Sequence, residues 1–190
     1  MTFNITKAAA IGASAAALSL AAGQPGWAAV APTNTATATI SADVLAPITL
    51  TEAGNLYYGR LILPINGTGR VRLAANGVLS QVSGSFTTVS GYNPTTPVFT
   101  VSATPSMNFS FTIDYSSYTL DTGLVASTFV FSPGGTNGVT YVGSPSSTGA
   151  TFVMGSAGSG TITLGADLVA TNYVPGGAKS QTLTATVSYN

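Results

Sequence analysis

The chain has 190 residues, enough for one domain and at most two, with 5 lysine or arginine residues against 5 aspartate or glutamate residues. Charged residues make up 5%, against roughly a quarter in an ordinary soluble domain, and histidine and cysteine are absent. This excludes a basic nucleic-acid binder, the common zinc, copper and thiolate sites, and Ser-His or Cys-His nucleophile pairs. Hydrophobic content of 45% still suffices for a core.

The N-terminus reads as an export signal. Lys7 precedes an uncharged run, Ala8–Ala22, of about fifteen residues. That is short of the roughly twenty needed to span about 30 Å of hydrocarbon. Gly23, Pro25 and Gly26 then break the helix, and small residues follow. A charged start, a short apolar middle and a small-residue site predict a signal peptide over 1–28, cut between Ala28 and Ala29. A cut after Ala31 also satisfies the small-residue rule, but Pro32 follows it directly. Residues 29–34 are expected to form a flexible lead. The mature chain keeps Arg60, Arg70, Arg72 and Lys179 against five acids, a net charge of −1.

From Thr35 onward the pattern has period two, and helical spacing is absent. Ala36, Ala38, Ile40, Ala42 and Val44 share one face, with Thr35, Thr37, Thr39, Ser41 and Asp43 on the other. Val71 and Leu73 alternate with Arg70 and Arg72. Phe99, Val101 and Ala103 alternate with Val98, Thr100 and Ser102. Phe109, Phe111 and Ile113 follow, then Phe129 and Phe131, then Phe152 and Met154. The clearest case is the end, where Leu183, Ala185, Val187 and Tyr189 interleave with threonine and serine. β-Branched and aromatic residues suit such half-buried strands. Asn66-Gly67, Asn76-Gly77, Pro133-Gly134-Gly135, Asn137-Gly138 and Pro175-Gly176-Gly177 supply the turns. Many short strands between such turns predict one all-β domain over 35–190, an immunoglobulin-like antiparallel β-sandwich. Ser144–Thr148 and Gly155–Gly160 read as exposed loops.

Candidate chemistry is sparse. Asp114 and Asp121 could serve as an acid/base pair, but aspartates so placed more often cap turns. Arg70 and Arg72 share a strand face and could clamp a carboxylate, although a solvated, edge-protecting face is the commoner use. Tyr57, Tyr58, Tyr92, Tyr115, Tyr118 and Tyr141 could stack on sugar rings, yet scattered tyrosines usually belong to core and rim. No acid-rich loop offers a calcium site. The chain is therefore expected not to be an enzyme, and to need no metal and no cofactor.

Three runs carry a resemblance: Ala36-Thr-Ala-Thr-Ile40, Ala46-Pro-Ile-Thr-Leu-Thr51 and Leu56-Tyr-Tyr-Gly59. With Gly165-Ala-Asp-Leu168 and the closing Val187-Ser-Tyr-Asn190, they resemble DUF4402, a bacterial family of exported domains. Phe99–Gly160 aligns with it only loosely. The C-terminus is also similar to that of chaperone–usher pilins, with Tyr189 penultimate and Gly177 fourteenth from the end. That similarity implies a domain short of one strand, served by a periplasmic chaperone and an outer-membrane usher. The gap would be filled by the N-terminal segment of the next subunit. Residues 35–44 would then donate Ala36, Ala38, Ile40, Ala42 and Val44. The acceptor would lie along 181–189, with Gly177, Leu183, Ala185, Val187 and Tyr189. The pilin disulfide has no counterpart here, and most of the donor positions are alanines. The same alternation at 36–44 also suits the domain's own first strand. The implied product is a self-assembling fibre or coat at the cell surface, reached through the periplasm. The alternatives are a monomeric carbohydrate-binding or adhesin-like module and a small outer-membrane barrel. Mass spectrometry of the exported protein should find a first residue of Ala29; a chain retaining Met1–Ala22 would overturn the signal-peptide assignment.

Overall fold

A computed structural model describes residues 37–63, 68–134 and 138–190. The expected signal peptide, the cleavage site at Ala28 and Ala29, the lead 29–34, Thr35, Ala36 and the Asn66-Gly67 turn lie outside them. The chain divides into two units, Met1–Ala42 and Asp43–Asn190. In the first, the described residues 37–42 are exposed and belong to no helix or strand.

The second unit is all-β, with antiparallel sheets in a sandwich-like arrangement. Its strands are β1 (Thr49–Ala53), β2 (Leu61–Ile62), β3 (Gly69–Leu73), β4 (Leu79–Ser83), β5 (Thr87–Thr88), β6 (Val98–Ser102) and β7 (Asn108–Ile113). They continue with β8 (Ser117–Asp121), β9 (Leu124–Gly134), β10 (Val139–Tyr141), β11 (Gly149–Met154), β12 (Ser159–Ala170) and β13 (Ala185–Tyr189). A seven-stranded sheet runs β1-β6-β12-β3-β4, with β9 on β12 and β8 on β9. A four-stranded sheet runs β10-β11-β7-β13, and β2 and β5 form a short ribbon. Among the described residues neither path returns to its first strand.

β12 organises the larger sheet. It pairs with β9 over Thr161–Ala170, while its first half pairs with β6 and its second half with β3. Its even-numbered residues Ile162, Leu164, Ala166, Leu168 and Ala170 are all buried. Phenylalanines lock the sheets together. Phe111 on β7 meets Phe99 on β6 edge-on at 5.1 Å and Phe131 on β9 at 5.7 Å. Edge-to-face geometry places positive ring edges on negative faces, worth about 0.5–1.5 kcal/mol beyond area burial.

A bulge sets the parity of β9. Asp167 pairs with Ser127 and Gly165 with Val130, so Thr128 and Phe129 stand against Ala166 alone. Before the bulge Leu124 and Ala126 face the core; after it Phe129 and Phe131 do. The extra residue thus keeps both halves of an 11-residue strand buried on one side.

Two expectations need correction. The alternating run 37–44 forms no strand, and the first strand begins at Thr49. Alanines at alternate positions offer little apolar area, so alternation alone does not draw the segment onto a sheet. Gly155–Gly160 is only partly a loop, because Ser159 and Gly160 already pair with β6. Thr128 has φ 53°, a left-handed value that a β-branched side chain adopts at a cost of about 1–3 kcal/mol. Thr128→Gly should therefore raise the urea midpoint, by up to about 1 kcal/mol of stability; a loss of stability would contradict this backbone geometry.

Candidate functional site

The larger sheet is wider than the smaller one that covers it. Part of its inner face, with Leu50, Phe99, Leu124, Phe129, Leu164 and Leu168, floors a groove of about 1510 Å³. None of the lining residues comes from β7, β10 or β11. One wall is the stretch Asn55–Leu63; the other side is the chain from Tyr173 to Ala185. Within it, Tyr58 is buried and its hydroxyl has no hydrogen-bond partner among the described residues. Burial, and then the negative charge of Asp167, push the Tyr58 phenol well above its ordinary range.

The segment leading into β13 departs from a strand. Period two predicts a strand over 181–189, yet regular pairing begins only at Ala185. Upstream, Thr171 N–H donates to Gly123 O at 2.8 Å, and Asp114 N–H donates to Thr184 O at 3.1 Å. Between these anchors the backbone of 172–183 makes no hydrogen bond among the described residues. Gly177, with φ 128°, turns the chain in a region that other residues avoid.

Asp114 and Asp121 are not brought together as an acid/base pair; each fastens this segment. Asp114 accepts from the Tyr118 hydroxyl and, at 3.1 Å, from Thr184 N–H. Burial alone would raise its carboxyl, but these donors outweigh burial and hold it below the usual value. Asp121 forms an ion pair with Lys179 and caps Thr122 N–H at 2.7 Å. The Lys179 hydrogen bond, then the Thr122 N–H, lower its carboxyl.

Among the residues proposed as an acceptor, Gly177, Leu183 and Ala185 line the groove, whereas Val187 and Tyr189 do not. Tyr189 closes a corner of the sandwich instead. Its hydroxyl donates to Ala46 O at 2.7 Å and accepts from Thr104 N–H at 2.8 Å. In the described part of the proposed donor, Ile40 is 97% exposed and Val44 89% exposed. The tyrosines scatter: Tyr118 is buried, Tyr141 stacks on Phe152 at 4.9 Å, and Tyr92 lies under the Arg60 guanidinium at 4.1 Å. The groove floor itself was not anticipated as a site. Its residues read simply as core, and only the pairing of the sheets reveals that part of that core lacks a second layer.

Arg70 and Arg72 do share a face and are partly exposed. However, β3 lies between β12 and β4 rather than at an edge, and both guanidinium groups are engaged by a carboxylate of the chain itself. They enclose Asp167, which is fully buried. Arg72 Nε donates to Asp167 Oδ1 at 2.7 Å and its Nη2 to Oδ2 at 3.0 Å; Arg70 Nε donates to Oδ2 at 2.6 Å. Burial would raise the Asp167 carboxyl, yet the bonds from Arg72 and Arg70 keep it below its ordinary value. No family model, no curated protein and no solved structure matches the chain.

Because folding lowers the Asp167 pKa, this triad stabilises the fold fully above the ordinary carboxylate value of 3.8. That contribution is lost as pH falls through the lowered folded value. Asp167→Asn should cost about 2–3 kcal/mol near neutrality and flatten the acid limb of a urea-midpoint profile between about pH 5 and pH 2. Asp114 and Asp121 titrate with the same sign, so a residual slope should remain.

Proposed function

We propose that the chain is a non-enzymatic, exported structural protein, a pilin-like subunit whose groove receives residues 35–44 of a second copy as an added strand. The observation that carries this reading is the groove: an apolar floor supplied by the larger sheet, lined by no residue of β7, β10 or β11 and by Ala185 alone from β13. At about 1510 Å³ it exceeds the roughly 300–1,000 Å³ of small-molecule pockets, which favours a stretch of chain as occupant. Among the described residues β13 pairs on one edge only, with β7, which leaves a row of backbone groups for an incoming strand. Ten extended residues reach roughly 33 Å, enough to run along that edge. The exposed Ile40 and Val44 supply apolar side chains without a place of their own. The resemblance to DUF4402 domains and to pilin C-termini points the same way, and with it to a surface fibre or coat assembled through a chaperone and usher.

Ile40 is the largest apolar side chain at the central donor positions, so its burial should contribute most, roughly 1.5–3 kcal/mol. The mature protein should show a ladder of oligomers in gels run without boiling, and Ile40→Asp should abolish it while leaving a folded monomer. A synthetic peptide copying residues 34–45 should bind that monomer, and the same peptide with Ile40→Asp should not. A wild-type protein that sediments as a stable monomer at high concentration would overturn the reading. It would favour the carbohydrate-binding alternative, for which Tyr57 and Tyr173, 42% and 63% exposed, line the groove.

A further inference from the structure

The segment 172–183 lies along the groove from end to end, yet it belongs to no strand. Every residue from Tyr173 to Thr184 lines the groove, and Val174 and Leu183 pack against the core cluster. Among the described residues its backbone is fastened only at its two ends, to Gly123 and to Asp114. Between those ends one polar side-chain contact to the described residues ties it down, the ion pair from Lys179 to Asp121 on β8, whose side chains are 23% and 27% exposed. The rest of the segment includes Pro175, Gly176 and Gly177, and a Cβ placed on either glycine would meet nothing within 4 Å. A segment without ladder hydrogen bonds opens at lower free energy than the strands beside it.

We infer that residues 172–183 form a hinged cover over the groove, pinned at its middle by Lys179–Asp121, and that releasing this pin exposes the apolar floor. The hinges are the two anchored ends, Thr171 on Gly123 and Thr184 on Asp114, which hold while the middle lifts. The other charged groups lining the groove are Glu52 and Arg60, and neither is paired with Lys179 or Asp121 among the described residues. The pin therefore acts as a single contact. The inference rests on the groove being a receiving site, and it adds the control of access to that site: an incoming strand must displace the cover.

The chain has no cysteine, so one introduced thiol reports on access without background. Ala126 lines the groove and is buried, and Ala126→Cys adds a single sulfur atom. Labelling of this thiol by a maleimide should be slow in the parent. It should quicken at least tenfold with Asp121→Asn or Lys179→Met, and return to the parent rate in the charge-swapped pair Asp121→Lys with Lys179→Asp. Hydrogen exchange on the cysteine-free Asp121→Asn protein gives a second readout that survives a poorly folded thiol variant. Amides of 173–183 should lose protection while those of β12 keep theirs. Equal labelling rates with and without the pin, or failure of the swap to restore the parent rate, would overturn the cover. The synthetic peptide 34–45 separates the two readings. If the pin controls labelling but the peptide never protects the thiol, the cover stands and strand addition falls. If the peptide protects while the pin has no effect, the cover alone falls.

Discussion

A strand buried on one face and paired along one edge leaves its other row of backbone groups to water or to a partner. β13 is such a strand, and much of the domain's arrangement follows from that. Its apolar face, Ala185, Val187 and Tyr189, is half-buried, so it stays seated on β7 without a neighbour on its outer side. Tyr189 fixes its far end by bonding across to Ala46 and Thr104. At the near end the pattern continues through Leu183, yet no ladder continues with it. The chain instead runs as an irregular segment along the groove that the larger sheet floors.

The floor belongs to the same core as the rest: Phe99 lines the groove and also packs edge-on against Phe111. Phe109, Phe111 and Phe152 are fully buried between the sheets, and Phe99 and Phe131 meet Phe111 from the opposite side. Burial of side chains this large dominates the hydrophobic contribution of a domain of this size. The Thr128 bulge serves the same end: without it, Phe129 and Phe131 would point away from the layer in which Leu124 and Ala126 lie. Local strain at one threonine is offset by burial along the whole of β9.

The strands were legible in the sequence wherever alternation coincided with large side chains. Phe99-Val101, Phe109-Phe111 and Phe152-Met154 all face the core, because β-branched and aromatic residues bury enough area to fix a register. The same alternation at 37–44 forms no strand, since alanine and threonine faces differ too little to choose a side. Long-range pairing was not legible. Nothing local to Arg70 or Arg72 announces Asp167, which is 95 and 97 residues away, and nothing near Leu164 or Leu168 shows that their layer would lack a cover. The groove is a property of which strands become neighbours, and periodicity does not encode that.

Scarcity of charge sharpens the meaning of each charge that is present. Of the five acids, Asp167 is enclosed by two arginines, while Asp114 and Asp121 hold the segment before β13. Solvation of the surface falls instead to threonine, serine, asparagine and glycine, which are uncharged over the pH range in which proteins fold. Ion pairs used as internal fasteners, partly shielded from water, are screened less by salt than exposed ones. A domain built this way keeps its core triad through changes of ionic strength. The pin at the groove is a single contact whose carboxylate is more exposed than that of Asp167, and it sits where access to the apolar floor is decided.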